Sequence, residues 1–258
     1  MKKLLFLIIS TIIFSENIDI IFWNTLHLGW NNSKDYKVMT NTLKNYDLIG
    51  LVEVMNESGI KKLIFELENV TNKDYDYFIS PQKYGRTNYK EYYAYIWDSN
   101  KIKLIKDLGE FEDIHDIFER EPYAVIFKGK YIDFTYVLYH AVFGKRKDDR
   151  RSEIKNLDLM YSYFQFVNFK ENDIIIGGDF NIHASDYSFT ILGIDGIKYL
   201  IEENIKTTSA NSYDNFLISD FTKEEYKEVG ILNNFKLNKT ISDHYPIFIR
   251  LEDIKDDD

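Results

Sequence analysis

The chain has 258 residues, of which 45% are hydrophobic and 16% aromatic, so it is long enough to bury one substantial core. Its formal net charge of −10 argues against a protein that binds nucleic acid through a large basic surface, although an acidic enzyme can still hold phosphate with a metal ion and a local basic patch. The absence of cysteine excludes disulfides and thiolate metal sites.

The N-terminal residues have the layout of a secretory signal peptide. A basic start over residues 1–3 is followed by an apolar run over residues 4–14, and the small Ser15 precedes polar residues. The apolar run is too short for a membrane span, which needs roughly 20 apolar residues. We therefore expect a signal peptide over residues 1–15 and a single domain over residues 16–258. The mature protein should be extracellular or periplasmic, monomeric and not stably attached to a membrane; a buried first strand or helix is the alternative interpretation of the apolar run.

Strand-like runs rich in β-branched and aromatic residues alternate with helical patterns along the rest of the chain. The pattern predicts strands over residues 18–24, 48–54, 75–80, 92–97, 123–127, 132–139, 173–177, 214–218 and 245–251. It predicts helices over residues 33–46, with Ser33 as the N-cap, 57–67 and 149–169. Many strands with interspersed helices indicate an α/β domain in which helices cover the sheets.

Polar side chains stand at or just beyond the ends of six of the apolar strands. They are Asn24, Glu53, Glu91, His140, the pair Asp179 and Asn181, and the pair Asp243 and His244. The point where a buried strand emerges at the surface is where a sheet presents chemistry to a ligand. A solvated loop carboxylate or a capping asparagine explains any one of these positions, but explains all six together less well.

The residue types at these positions are chemically complementary. Glu53 and Asn24 offer hard oxygen ligands, which suit Mg²⁺ or Ca²⁺ better than zinc. The two histidines suit proton transfer near neutral pH, and Glu91 and Asp214 are available to orient them. This combination favours a metal-assisted phosphodiesterase.

Plainer interpretations stay open for individual residues. Asp179 and Asn181 are suited to positioning a water molecule or stabilising a phosphorane-like transition state. His140 could instead be a satisfied core histidine at a strand end, and Asp214 a carboxylate in a turn.

Two strings resemble the signature strings of the endonuclease/exonuclease/phosphatase superfamily. They are Gly-Asp-Phe-Asn at 178–181 and Ser-Asp-His-Tyr-Pro at 242–246, and they occur in the order found in that family. Leu-Val-Glu-Val at 51–54 resembles its metal-carboxylate strand. The resemblance extends over residues 18–251, and the ordered pair of strings is its most specific part.

A further segment narrows the resemblance to deoxyribonuclease I-like nucleases. Gly-Arg-Thr-Asn-Tyr-Lys-Glu-Tyr-Tyr at 85–93 is similar to the corresponding stretch of those enzymes, as are Arg-Glu-Pro at 120–122 and Tyr-Asp at 213–214. The resemblance implies a four-layer sandwich of two mainly antiparallel β-sheets flanked by helices, with the site at one edge. It also implies a divalent-metal-dependent endonuclease that acts on DNA and leaves 5′-phosphate ends.

The resemblance also implies roles for individual residues. The metal ligands would be Asn24, Glu53 and Asp243, with Mg²⁺ as the ion and Mn²⁺ or Ca²⁺ as alternatives. The catalytic residues would be Glu91, His140, Asp179, Asn181, Asp214 and His244, in which His140 pairs with Glu91 and His244 with Asp214. Which histidine activates water stays open, and in relatives the Asp179 position is also proposed as the base.

Basic and aromatic residues near these segments are candidate contacts to the phosphate backbone of DNA. They are Arg86, Tyr89, Arg120, Lys145, Arg146 and Arg150. The last three belong to the densest basic run, residues 144–151, which begins four residues after His140. Clustered cations of this kind grip phosphates without reading bases. A solvated helix start with internal charge pairs is the alternative.

Two departures and two competing functions accompany the resemblance. The arginine that enters the minor groove in the mammalian enzyme is Met55 here, so the mode of duplex recognition stays open, and the disulfide of that enzyme is missing. A secreted phospholipid phosphodiesterase, such as a sphingomyelinase, would use the same metal and histidines but should present an exposed aromatic hairpin, and the sequence shows no clear one. The third functional hypothesis is a surface-binding protein that has the same fold but no catalytic activity.

Overall fold

The computed structural model describes residues 16–254 except Asn32, Asp195 and Glu224, so the predicted signal peptide lies outside the described residues. The strands are β1 Glu16–Leu28, β2 Leu48–Val54, β3 Tyr75–Ile79, β4 Tyr92–Asp98, β5 Lys103–Glu110, β6 Tyr123–Lys128, β7 Asp133–His140, β8 Ile174–Asp179, β9 Lys198–Tyr199, β10 Asp214–Ile218, β11 Tyr226–Ile231 and β12 Ile247–Asp253. The α-helices are α1 Tyr36–Leu43, α2 Glu57–Thr71, α3 Lys147–Ile154, α4 Leu157–Val167 and α5 Thr190–Ile194. None of the helices in this part of the chain is long and apolar enough to cross a membrane.

The strands form two six-stranded sheets. The first sheet has the order β11-β12-β1-β2-β4-β3 and the second has the order β5-β6-β7-β8-β10-β9. Each sheet contains one parallel pair, β1 with β2 in the first and β7 with β8 in the second, and its other described pairs are antiparallel. The prediction of two mainly antiparallel sheets is confirmed.

Strand β1 shows why the molecule has four layers. Its alternate residues Ile18, Ile20 and Phe22 are buried in the core between the two sheets. The intervening Ile21 and Trp23 are buried on the opposite face. Because successive side chains of a strand point to opposite faces, a strand that is apolar at every position must be covered on both sides.

Helices provide the outer two layers. Apolar residues of α1 and α2, among them Met39 and Leu63, pack on the outer face of the first sheet. Ile154 of α3 and Met160 and Phe164 of α4 pack on the outer face of the second sheet. The predicted four-layer sandwich is therefore confirmed, and it leaves the strand ends of both sheets at a common edge.

All three predicted helices differ from the observed ones, and α2 differs only in continuing beyond residue 67 to Thr71. Helix α1 begins at Tyr36 rather than near Ser33, because the Asp35 side chain accepts a hydrogen bond from the Val38 N–H and caps the first turn. The helix predicted over residues 149–169 is two helices, α3 and α4, that meet at Asn156. The Asn156 side chain donates to the Ser152 carbonyl, and such local side-chain bonds compete with continuous helix.

Three strands were missed because they lie at or near sheet edges. Strands β5, β9 and β11 end the order of their sheets, and their residues are mostly exposed or half-buried. Edge strands carry charges and do not need an apolar inner face at every second position. The hydrophobic periodicity that reveals central strands is therefore weak in them.

Glycine allows the two sheets to approach around Tyr136. A side-chain carbon on Gly50 of β2 would lie 2.5 Å from the hydroxyl of Tyr136, which belongs to β7 in the other sheet. Within the second sheet, one on Gly177 of β8 would lie 2.8 Å from the same hydroxyl. Tyr136 is fully buried in the core between the sheets. Any larger residue at Gly50 would push apart the strands that carry the polar residues at the edge.

Asp253 ties the end of β12 in the first sheet to the β6–β7 turn of the second. Its buried carboxylate accepts hydrogen bonds from the backbone N–H groups of Lys130 (2.8 Å), Tyr131 (2.8 Å) and Ile132 (3.0 Å). Three donors on one carboxylate satisfy the turn's backbone, which would otherwise be unpaired.

We expect Asp253→Ala to lower the free energy of unfolding by about 1–3 kcal/mol, because three backbone donors lose their acceptor. Urea denaturation monitored by circular dichroism measures the change. Asp133→Ala is the matched control, since Asp133 forms a partly exposed ion pair with Lys128, and such pairs contribute about 0–1 kcal/mol. Equal losses in the two variants would contradict a special role for Asp253.

Candidate active site

Strand ends from both sheets meet in a cleft of about 380 Å³. In the second sheet, His140 and Asp214 each lie beside Asp179, because β7 and β10 flank β8 in matching register. The first sheet contributes Glu53 from β2 and the residues before β12. The cleft is lined by Glu53, Arg120, His140, Phe143, Asp179, Asn181, Thr208, Ser209, Tyr213, Asp243 and His244.

The first histidine pair spans the two sheets. Glu91 immediately precedes β4, and its Oε1 atom lies 2.7 Å from Nδ1 of His140 at the end of β7. Oε1 also accepts the Glu53 backbone N–H, and Oε2 lies 3.0 Å from Nε of Arg120. Burial alone would raise the pKa of the Glu91 carboxyl, but the charges of His140 and Arg120 lower it. Burial lowers the pKa of His140, and Arg120 lowers it further, but the charge and hydrogen bond of Glu91 together with the charge of Asp179 raise it above its usual value.

The second histidine pair also spans the sheets. His244 lies just before β12, and its Nδ1 atom is 2.8 Å from Oδ2 of Asp214 at the start of β10. Burial raises the pKa of the Asp214 carboxyl, and the neighbouring Asp179 adds to the effect. Burial lowers the pKa of His244, but the carboxylates of Asp214, Asp179 and Asp243 together raise it above its usual value. Each imidazole is therefore held by a carboxylate at Nδ1 and presents Nε2 to the cleft.

Asp179 lies where the two imidazoles converge. Its Oδ2 atom is 3.7 Å from Nε2 of His140 and 3.5 Å from Nε2 of His244. Oδ2 also accepts a hydrogen bond from Nδ2 of Asn24 at 3.1 Å, and Oδ1 accepts the Asn181 backbone N–H at 3.0 Å. The buried carboxylate is thus fixed in place by both neighbouring asparagines.

Backbone in the left-handed region is concentrated at the cleft. The described non-glycine residues with positive φ are Leu26, His27, Glu53, Asn72, Asp116 and Asn181. Four of these six, Leu26, His27, Glu53 and Asn181, lie at or beside the cleft, and Leu26 and Glu53 are residue types that rarely adopt this conformation. Residues in sparsely populated conformations cluster at functional sites because the surrounding structure must hold them there.

Glu53 has the oxygen that best fits a divalent cation. Its Oε1 accepts a hydrogen bond from Asn24 Nδ2 at 3.0 Å, whereas its buried Oε2 accepts none from the described residues. His27 Nε2 lies 3.1 Å from Oε2. Asp243, 63% exposed, lines the same cleft. Carboxylate oxygens suit Mg²⁺, so Glu53 Oε2 and Asp243 fit such an ion, whereas Asn24 donates through Nδ2 to Glu53 and its Oδ1 already accepts the Leu26 N–H at 3.0 Å.

A second set of metal-type ligands lies beside the first. Ligand atoms of Asp179, Asp214 and His244 are within 4.8 Å of one another. Two of these residues already bond each other through His244 Nδ1 and the Asp214 carboxylate. The sequence-based ligand set of Asn24, Glu53 and Asp243 does not overlap with this cluster, although Asn24 contacts Asp179.

The predicted substrate residues Arg86, Tyr89 and Arg120 occupy different positions. Arg120 is largely buried, lines the cleft and has Glu91 as its ion-pair partner. Tyr89 is exposed and lines a neighbouring groove. Arg86 forms an ion pair with Asp116, and it does not line the cleft.

Acidic residues neutralise much of the basic run at residues 144–151. Arg146 pairs with Asp149, and Lys147 and Arg151 both pair with Asp186. Arg150 lies over the Phe143 ring, and Lys145 is exposed without an ion-pair partner among the described residues. The charge pairs expected for a solvated helix start are therefore present at Arg146, Lys147 and Arg151, and phosphate contact by Lys145, Arg146 and Arg150 stays a prediction.

Sequence reasoning missed several residues around the cleft. Ser242 donates through Oγ to the Asn24 carbonyl and accepts the His244 N–H, which explains the serine in the Ser-Asp-His string. Lys34 is buried near Glu53 and Asp243, and burial lowers its pKa to about 8 despite both carboxylates. Ser242 is the first residue of the quoted string, so its position was a usable signal, whereas nothing in the sequence distinguishes Lys34 from a surface lysine.

The chain is similar in sequence to deoxyribonucleases. It is 28% identical over 253 residues to a deoxyribonuclease of Thioalkalivibrio sp. (strain K90mix), with 89% of this chain and 70% of the relative covered. It is 28% identical over 243 residues to deoxyribonuclease-1 of Gallus gallus, with 83% of this chain and 84% of the relative covered. No protein-family model matches the chain.

The fold is similar to solved structures of endonuclease/exonuclease/phosphatase proteins. One such protein from Leptotrichia buccalis superposes with a TM-score of 0.66 at 19% identity, covering 91% of this chain and 99% of that structure. The fold is therefore that of the endonuclease/exonuclease/phosphatase proteins, and the sequence similarity together with the site supports a phosphodiesterase or nuclease hydrolase. Among the curated proteins, the chain is similar to deoxyribonuclease I-like enzymes.

Glu91→Gln removes the negative charge beside His140 while keeping the side-chain shape. Because that charge raises the pKa of His140, whereas burial and Arg120 lower it, we expect the pKa of His140 to fall in the variant. The neutral imidazole should therefore persist to lower pH. NMR titration of the histidine Cε1 signals in metal-free protein measures the shift. His244 is the internal control, since its partner is Asp214. An unchanged or raised pKa of His140 would refute the electrostatic pairing.

Proposed function

We propose that this protein is a secreted, divalent-metal-dependent endonuclease that hydrolyses DNA to leave 5′-phosphate ends. The observation that supports the proposal most strongly is the convergence of two imidazole–carboxylate pairs on Asp179, next to a buried Glu53 oxygen that accepts no hydrogen bond from the described residues. Two oriented proton-transfer groups facing one carboxylate suit attack by water on a phosphodiester.

Glu53, Asn24 and Asp243 would hold the metal ion, which we propose to be Mg²⁺. When bound, such an ion neutralises charge on the phosphate oxygens and lowers the pKa of bound water. The buried Oε2 atom of Glu53 is the main ligand in this assignment, because its other oxygen already accepts a hydrogen bond from Asn24. Mn²⁺ and Ca²⁺ favour similar oxygen ligands.

The chain's own groups would orient water and move protons. Asp179 is fixed by Asn24 and Asn181, so it can hold the attacking water and accept its proton. The carboxylate partners raise the pKa of both histidines, and they raise that of His244 to about 10, so the His244 imidazole carries a proton near neutral pH. An imidazolium whose Nε2 faces the cleft can stabilise the developing charge and protonate the leaving oxygen. His244 is our candidate for the leaving-group acid, because its pKa is raised to about 10.

DNA is the proposed substrate because both similar curated proteins are named deoxyribonucleases. The net charge of −10 means that the protein as a whole repels a polyanion, so cations near the cleft must offset this repulsion locally. Within the basic run, Lys145 and the guanidinium of Arg150 are our candidates for this role. Secretion rests on the signal-peptide pattern of residues 1–15.

We expect the purified mature protein to nick supercoiled plasmid in the presence of Mg²⁺. Nicking should stop when a chelator removes the ion. His140→Ala and His244→Ala should each lower turnover by roughly 10²-fold or more, because positioned acid–base groups contribute about that much. Glu53→Gln should abolish the response to Mg²⁺ at low ion concentration. Agarose-gel nicking rates measure all three.

Asp76→Asn is the control for these variants, since Asp76 is an exposed carboxylate on β3 that does not line the cleft. Cleavage that is insensitive to chelator, or near-wild-type rates in both histidine variants, would refute the proposal. Release of phosphocholine from sphingomyelin vesicles without nicking would instead support the lipid phosphodiesterase, and inactivity on every substrate would support a surface-binding protein.

The basic run provides a test of phosphate contact. Lys145→Ala should weaken DNA binding equally for unrelated sequences and reduce the slope of log affinity against log salt by about 1, because one phosphate contact is lost. Fluorescence anisotropy in chelator measures binding without cleavage. Arg146→Ala should change the slope less, since Asp149 already neutralises Arg146. The reverse order of effects would contradict this assignment.

A further inference from the structure

An exposed aromatic cluster lies beside the cleft on the side of the first sheet. Its members are His27, Trp30 and Tyr89, here called the tryptophan platform. The ring centroids of His27 and Trp30 are 4.9 Å apart, and those of Trp30 and Tyr89 are 5.2 Å apart. Trp30 and Tyr89 are each 52% exposed, whereas the other two tryptophans, Trp23 and Trp97, are buried. Large aromatic surface left in water in a contiguous group marks a binding site.

The tryptophan platform is connected to the site by contact and by shape. His27 Nε2 lies 3.1 Å from Glu53 Oε2, so the platform adjoins the proposed metal ligand. Trp30 lines two grooves at once. One, of about 620 Å³, extends to Asp243, and the other, of about 650 Å³, contains Tyr89 and the cations Lys83 and Lys90.

A second exposed aromatic residue flanks the cleft on the side of the second sheet. Phe143 follows β7, is 59% exposed and lines the cleft with His140. The Arg150 guanidinium lies 4.1 Å from the Phe143 ring centroid, and Arg150 donates to the Phe143 carbonyl. The cation therefore holds the ring on one face and brings positive charge next to it.

We propose that Trp30 and Phe143 are stacking surfaces for nucleobases on the two sides of the scissile phosphate, and that the enzyme consequently prefers an unpaired DNA strand to a duplex. The inference rests on the proposed function, whose substrate it narrows. Bases in a duplex hide their faces in the stack, whereas unpaired bases can stack on aromatic side chains irrespective of sequence. Lys83, Lys90 and Arg150 beside the rings favour a polyanionic strand over a zwitterionic lipid surface.

Binding is tested first without turnover. In chelator, a single-stranded oligothymidylate should quench the tryptophan fluorescence, because Trp30 is the exposed tryptophan, and a hairpin duplex of equal length should quench it less. In Trp30→Phe, the quenching should disappear. Vesicles of phosphatidylcholine and sphingomyelin are tested in the same way and should not quench the tryptophan fluorescence.

Kinetics then separate stacking from a structural role. Trp30→Ala and Phe143→Ala should each raise KM for single-stranded DNA by about 5- to 100-fold, the range expected for one lost stacked base, with a smaller change in kcat. KM for duplex should change little, and Trp30→Phe should restore most of the loss. Phe166→Ala is the matched control, since Phe166 is 81% exposed on α4 and lines none of these grooves.

The outcomes distinguish the inference from the function on which it rests. DNA cleavage with unchanged quenching and unchanged KM in both alanine variants, or a clear duplex preference, would overturn the stacking proposal and leave the nuclease intact. Quenching by single strands without any cleavage would overturn the nuclease and support the stacking surfaces. Quenching by vesicles and not by oligonucleotide would overturn the proposal in favour of a lipid surface.

Discussion

Three polar contacts that cross from one β-sheet to the other determine the geometry of the site. They are Asn24 with Asp179, Glu91 with His140, and His244 with Asp214. In each contact one partner lies at or next to a strand end of the first sheet, and the other lies at a strand end of the second. Since a one-residue slip turns a side chain to the opposite face of its strand, all three contacts require one particular register of both sheets. The apolar core between the sheets, with Tyr136 packed against Gly50, therefore sets the distances at the cleft.

The same contacts explain how so many ionisable groups can be buried together. An unpaired buried charge is costly, and removing one partner of a buried pair leaves the other uncompensated. Glu91 illustrates the point, because its carboxylate has His140 on one oxygen and Arg120 on the other. Arg120 was predicted to contact the substrate, but in the structure it forms an ion pair with Glu91. Glu91 in turn orients the His140 imidazole. Variants along this chain of contacts should be strongly non-additive.

The central strands and the polar residues at their ends could be predicted from the sequence. Strand β2 and strand β10 have the predicted limits, because apolar runs bounded by polar residues are typical of buried strands. The pairing of each histidine with its own carboxylate came instead from the resemblance to family strings. Spacing along the chain could not supply it, since His140 and Glu91 are 49 residues apart in sequence and meet only through sheet packing.

Other features depend on contacts that no local pattern contains. The sequence of the basic run suggests a patch of free cations. In the structure, Asp186, which lies 35 residues beyond Arg151 in the chain, neutralises part of it. Trp30 and Tyr89 lie in different loops, so the sequence gives no local sign that they form one exposed aromatic group. The fold brings their rings together. The neutralised cations and the assembled aromatic surface both change the expected mode of DNA binding from charge towards stacking.

The seam between the two sheets is where a phosphodiester should be bound and hydrolysed. The decisive experiment is a crystal structure with Mn²⁺ and thymidine 5′-phosphate, a mimic of the 5′-phosphate end that the proposed reaction produces. We expect anomalous scattering from the ion next to Glu53, and the phosphate between the imidazoles of His140 and His244, above Asp179. A phosphate bound elsewhere on the protein, or an ion that avoids Glu53, would contradict it.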